Sequence, residues 1–203
     1  MSATRRFVVI GQTALASAEF SLDDLPGSSG RLDVLLRCVR AALLVSHGVR
    51  TDTVAYLVLG GGPRAPRTIK IDGAAVEYLR PDERSLAGAI RSMLGWADDQ
   101  TTFAKANRGI SIVRGGLDAV LADLGPCAAY VLEPGGRDVR DASLDLSDAA
   151  FFVGDHRGFD DATRARLAGL GARSVSVGPV AVHADDAITL VANEIDRRQR
   201  STP

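Results

Sequence analysis

The feature that most constrains this chain is alternation. Short apolar runs of strand length give way, again and again, to stretches whose apolar residues recur at helical spacing. Such a pattern predicts an α/β fold in which a mostly parallel sheet carries helices on its faces. The first strand is expected over Arg6–Ile10, and a helix from about Arg31 to Ser46 with Gly48 as its stop. Leu32, Leu35, Leu36, Val39 and Leu43 form the apolar stripe of that helix, and Asp33, Arg37 and Arg40 lie on another face. Val54–Leu59 is a buried strand. Thr68–Ile71 and Val76–Leu79 flank Asp72-Gly73 and read as a hairpin. A helix is expected over about 82–96, a strand over Ile110–Val113, and a short helical stripe at Leu117, Val120, Leu121 and Leu124. Strands at Ala128–Leu132, Ala149–Val153 and Ser174–Val177 then alternate with a helix over Asp161–Leu170. A last helix starts near Asp185, with Ile188, Val191 and Ile195 on one stripe that would serve a two-fold dimer contact.

At 203 residues the chain supports one sizeable core, so a single domain is expected. No apolar run approaches the roughly 18 residues of a membrane span. The apolar run Phe7–Ile10 is too short for the core of a secretion signal, so a cytoplasmic protein is expected. Cys38 and Cys127 stand far apart, and three histidines form no cluster with them, which argues against a zinc site and for reduced thiols. The formal net charge of −1 advertises no basic field. Of 24 basic residues only Lys70 and Lys105 are lysines. Arginine suits planar contacts to phosphate or carboxylate, although a GC-rich coding sequence gives the same bias.

Two glycine-rich turns invite different readings. Gly60-Gly61-Gly62 follows a strand but leads through Pro63 and Pro66 to another strand, so no helix start is available for a phosphate; it reads as a structural turn. Gly154-Asp155-His156-Arg157-Gly158 sits at the carboxyl end of a strand, where open α/β sheets bind ligands. Ser176-Val177-Gly178-Pro179-Val180 ends the next strand in sequence. The two loops can share a pocket if their strands are neighbours.

The chain resembles the archaeal-type tRNA pseudouridine N1-methyltransferases of the SPOUT superfamily. The likeness runs through Asp24-Leu25-Pro26-Gly27, Gly30-Arg31-Leu32-Asp33-Val34-Leu35, Arg37-Cys38-Val39, Ser46-His47-Gly48-Val49-Arg50 and Pro81-Asp82-Glu83-Arg84-Ser85. It continues in Gly154-Asp155-His156, Gly158-Phe159, Ser176-Val177-Gly178-Pro179 and His183-Ala184-Asp185. The resemblance implies a trefoil knot within about residues 128–203, a homodimer, and S-adenosylmethionine bound by the knot loops. By position the cofactor contacts would be Leu132, Gly154, Ser176, Val177, Gly178, Pro179, Val180, Ala181 and Ala187. One departure stands out: the family's His-Cys pair at the start of the last helix is Asp186-Ala187 here.

The activity the resemblance implies is N1-methylation of pseudouridine in tRNA, at a T-loop position of the 54 type. Methyl transfer from a sulfonium needs alignment above all. The acceptor nitrogen must also lose a proton, so a carboxylate base is plausible; Asp33 and Asp138 are the candidates. Asp33 could equally be an i, i+4 salt-bridge partner of Arg37, and Asp138 an ordinary turn residue. Arg31, Arg37 and Arg40 are candidates for the RNA backbone. His47, His156 and His183 read as structural. Two further possibilities stay open: a related methyltransferase acting on another RNA or a free C-nucleoside, and a knotted dimer that binds RNA or S-adenosylmethionine without turnover.

Overall fold

A computed structural model describes residues 5–96, 100–103 and 106–200; Lys105 lies outside them. Its ten strands are β1 (Arg5–Leu15), β2 (Leu44–Val45), β3 (Gly48–Val49), β4 (Thr53–Gly61), β5 (Arg67–Asp72), β6 (Ala106–Asn107), β7 (Ile110–Arg114), β8 (Ala128–Asp138), β9 (Ala149–Gly154) and β10 (Arg173–Ser176). The helices are α1 (Leu25–Ser28), α2 (Leu32–Leu43), α3 (Glu83–Trp96), α4 (Leu117–Leu124), α5 (Asp161–Gly169) and α6 (Ala184–Arg200).

Eight strands form one sheet in the order β10-β8-β9-β1-β4-β5-β7-β6. The pairings from β10 to β4 are parallel, and those from β4 to β6 are antiparallel. Central parallel strands are buried on both faces, which is why β1 and β9 read as unbroken apolar runs. Phe7 and Val9 point into one core with Leu35, Leu36, Leu57, Phe151 and Val191, beneath α2, α3 and α6. Val8 and Ile10 point into the other with Tyr56, Phe152, Val120 and Leu167, beneath α4 and α5. Phe7, Phe151 and Tyr130 stack across three adjacent strands, with ring centroids 5.5 and 5.4 Å apart.

Three expectations are corrected. First, α2 ends at Leu43 rather than Ser46, because Leu44 is already extended (φ −91°, ψ 134°). Residues 44–49 form the β2–β3 hairpin, so Gly48 lies in a strand, not at a helix stop. Arg50 N–H donates to the Leu43 carbonyl, which closes the loop. Second, Asp72-Gly73 does not join a hairpin. β5 pairs with β4 and β7, and residues 76–79 are not a strand. Gly73 is wedged where an added Cβ would lie 2.0 Å from the Arg50 carbonyl oxygen, so the chain turns away there. Third, the Ile188, Val191 and Ile195 stripe of α6 is buried within the chain, against α2 and the sheet. It is therefore not a free dimerisation stripe.

Candidate cofactor pocket and its arginine clamp

A pocket of about 550 Å³ opens at the carboxyl ends of the parallel strands, which is a size suited to a small-molecule ligand. The two glycine loops do share it, though their strands are not neighbours: β8 runs between β9 and β10. What joins them is an excursion in β8. Val131 pairs with Ser174, but the next pairing is Arg137 with Val175, so residues 132–136 leave the ladder. Leu132, Glu133 and Pro134 thereby line the pocket between the two loops. The excursion rejoins through Gly136, where a Cβ would lie 2.6 Å from both the Val175 N and the Ser174 hydroxyl oxygen. Ser176 Oγ–H donates to the Gly136 carbonyl at 3.0 Å.

Of the residues expected from the sequence, Leu132, Gly154, Ser176, Val177, Gly178, Val180, Ala181 and Ala187 line this pocket, and Pro179 does not. Asp186 is exposed and is not a lining residue, whereas its neighbour Asp185 is. The Gly154–Gly158 loop is braced by Asp155, whose buried carboxylate accepts from Gln12 N–H (2.8 Å) and Arg157 N–H (2.8 Å). Gln12 Nε2–H donates to the Gly158 carbonyl at 2.9 Å. Gly154 cannot take a side chain, because a Cβ would lie 2.7 Å from the Gly158 backbone. Gly178 is different: its φ is +155° and nothing lies within 4 Å of a Cβ placed there.

Arg31 and Arg37 also line the pocket. Asp33 stands behind them, only 2% exposed. Its Oδ1 accepts from Arg31 Nε (3.0 Å), and its Oδ2 from Arg31 Nη2 (3.1 Å) and Arg37 Nη1 (3.1 Å). Arg37 reaches Glu83 on α3 as well, at 3.4 Å. Burial works to raise the Asp33 pKa, but the hydrogen bonds and charges of Arg31 and Arg37 outweigh it and hold the carboxyl below its ordinary range. The salt bridge with Arg37 is thus present, yet it is one arm of a three-residue clamp. Arg31 enters α2 in the left-handed region (φ +69°), after Gly30 at φ +63°. Gly30 is required, since a Cβ would lie 1.9 Å from the Thr13 carbonyl oxygen.

Arg40 and Asp138 lie elsewhere. Arg40 is exposed in the last turn of α2 and does not line the pocket. Asp138 is also outside the lining, paired with Arg140 (Nε to Oδ1, 2.9 Å). That hydrogen bond and the Arg140 backbone N–H lower the Asp138 pKa to about 2, so it is a weak base. Residues that sequence reasoning missed include Glu133, Phe159, Arg164 and Val182. Arg164 donates to Glu133 at 3.1 Å and sits 5.7 Å from the Phe159 ring centroid. Only Phe159 carried a signal, within the matched Gly158-Phe159; Arg164 comes from a helix whose sequence shows nothing unusual.

The pocket fits S-adenosylmethionine. Leu132, Val153, Val175 and Ala187 offer apolar walls, and Glu133, Ser176 and Asp185 offer polar groups among them. Among the described residues no acidic, His or Cys group could hold a metal, and no helix is long and apolar enough to cross a membrane.

Residues 4–200 match a family described as "Putative SAM-dependent RNA methyltransferase". The chain is 44% identical over 195 residues to the tRNA (pseudouridine(54)-N(1))-methyltransferase of Halobacterium salinarum, covering 95% of this chain and 96% of that protein. Its identity to the Methanosarcina acetivorans protein of the same name is 37%, covering 96% and 92%. In fold it is similar to Archaeoglobus fulgidus Nep1 bound to S-adenosylhomocysteine, with a TM-score of 0.65, 14% identity and coverage of 98% and 100%. The chain therefore belongs to the S-adenosylmethionine-dependent RNA methyltransferase family that includes the archaeal tRNA (pseudouridine(54)-N(1))-methyltransferases.

Proposed function

We propose that this protein N1-methylates pseudouridine in tRNA, at the T-loop position its relatives are named for. The observation that carries this reading is the pair of guanidinium groups, Arg31 and Arg37, fixed by a buried carboxylate on the wall of a cofactor-sized pocket. A planar guanidinium held from behind presents its remaining N–H groups forward, and these suit phosphate oxygens or base carbonyls.

When bound, the cofactor supplies a methyl group on a positively charged sulfur. The chain's own residues do the rest. Leu132, Gly154 and the loop 176–181 would hold the cofactor, and Ala187 would pack against it. Arg31 and Arg37 would orient the acceptor, so that N1 faces the methyl group; alignment is the main rate term for such a displacement. As the N1–carbon bond would form, the methyl group's bond to sulfur would break, and the N1 proton would have to leave. Asp33, with both oxygens bonded to arginines, is better placed to position Arg31 and Arg37 than to take that proton. We assign the proton to solvent at the pocket mouth.

A trefoil knot is part of this proposal. Val139 N–H donates to the Ser176 carbonyl, and Arg198 near the end of α6 donates to the carbonyls of Val139 (2.8 Å), Asp141 (3.1 Å) and Leu144 (2.8 Å). The closing segment is thus tied to the loop it would thread. A homodimer is also proposed, with its support in the exposed Val180 and Val182 on the pocket rim and Leu190 on the outer face of α6 rather than in the buried stripe of α6.

The test is methyl transfer from labelled S-adenosylmethionine to three acceptors: tRNA carrying pseudouridine at position 54, the same tRNA with uridine there, and free pseudouridine. Nucleoside mass spectrometry should find 1-methylpseudouridine in the first alone. Methylation of the uridine tRNA or of the free nucleoside would overturn the reading.

A further inference from the structure

Far from the pocket, one ring stands in solvent. Tyr78 is 84% exposed, the most exposed large hydrophobic side chain among the described residues. Its backbone is left-handed, at φ +57°, a conformation costly for a bulky residue. The segment is not loosely attached. Val76 and Leu79 on either side pack against the core, and Glu77 N–H donates to the Arg108 carbonyl at 3.3 Å. Arg108 stacks on the ring, with Cζ 5.8 Å from the centroid. It too is left-handed, at φ +49°, and with Gly109 (φ +76°) it makes the two-residue turn between β6 and β7. Asparagine or glycine is preferred at that first turn position. Two adjacent residues therefore sit in backbone conformations that favour other residue types, and together they present an aromatic face and a guanidinium plane. Arg80 is exposed two residues along.

We propose that Tyr78 and Arg108 form a stacking platform for an unpaired base of the RNA substrate, distinct from the pocket. The proposal rests on the tRNA reading above. Aromatic and guanidinium planes are what single-stranded bases stack on, irrespective of sequence. The platform lies beyond the end of β5 and the start of β7, at the opposite end of the sheet from the pocket. The nine residues of β4 set that separation at roughly 30 Å.

The experiment measures affinity for tRNA by fluorescence anisotropy, independently of turnover, beside the melting curve and the scattering mass. Tyr78→Asn and Arg108→Asn suit the left-handed backbone and remove the planes, so melting temperatures should stay level or rise. Each should weaken tRNA binding about tenfold, as expected for one lost stacking contact, with cofactor affinity unchanged. Tyr78→Trp should bind tRNA as tightly as the parent. Unchanged affinity in Tyr78→Asn would overturn the platform. So would a change in oligomeric mass, which would make Tyr78 a protein contact. A parent that binds tRNA through Tyr78 but methylates none would sink the proposed activity and leave the platform standing.

Discussion

At the residue scale the decisive group is Asp33. Sequence alone leaves it between a base and a simple ion pair, and the structure places it under two arginines at once. Asp33→Asn removes the charge while keeping the shape. We expect it to raise the KM for tRNA about tenfold, with cofactor affinity unchanged, because Arg31 and Arg37 lose their anchor. A proton acceptor would instead show a fall in kcat at unchanged KM, and steady-state kinetics tells the two apart. Stability should fall by about 1–2 kcal/mol. That is less than the roughly 3–5 kcal/mol of a fully buried pair, because both guanidinium groups are partly in solvent. The pH dependence has a definite sign. A carboxyl whose pKa is lowered by folding stabilises the fold above its ordinary value of about 3.9, and that stabilisation fades as pH falls through the lower folded value. The stability gap between parent and Asp33→Asn, read from urea midpoints, should therefore persist at neutral pH and close below about pH 4.

At the scale of elements, the loops of the pocket are shaped by glycines with different duties. Gly136 and Gly154 are needed because backbone passes within 2.6–2.7 Å of where a Cβ would be. Gly178 has open space, so its constraint is the φ of +155° and the ligand that the space admits. Gly178→Val should lower the melting temperature, because a β-branched residue is strained at that φ, and the folded protein should show no detectable S-adenosylmethionine binding by calorimetry. Normal binding by a folded Gly178→Val protein would place the cofactor elsewhere.

The whole molecule joins its two ends. Arg5 at the start of β1 bonds Asp196 of α6 (2.7 Å) and Asp52 (2.6 Å), and Arg50 bonds Asp196 through both oxygens (2.8 and 2.7 Å). This network seats the C-terminal half of α6 at the opposite end of the sheet from the pocket, which the first turn of the helix lines, and Leu190 on its other face stands in solvent. The proposed dimer gives a clear outcome: light scattering should report about twice 21.3 kDa for the parent and 21.3 kDa for Leu190→Arg. An unchanged mass in that variant would move the interface away from α6.

The sequence by itself determined the elements and their alternation, because strand and helix periods are local properties of the chain. It determined both glycine loops and much of the pocket lining, because Gly154 and Ser176 to Gly178 fall in matched segments at strand ends. It misjudged the end of α2, because leaving the helix at Leu44 depends on what Arg50 reaches across the fold. It misjudged the Asp72-Gly73 turn, because β5 finds β7, about 40 residues on, instead of its nearest apolar run. It could not separate a dimer stripe from a core stripe on α6, since both are apolar at the same spacing. The Asp33 clamp, the β8 excursion and the Tyr78–Arg108 stack were decided by the tertiary structure alone. Each depends on distances between groups far apart in sequence or on a backbone φ, and neither is written in the order of the residues.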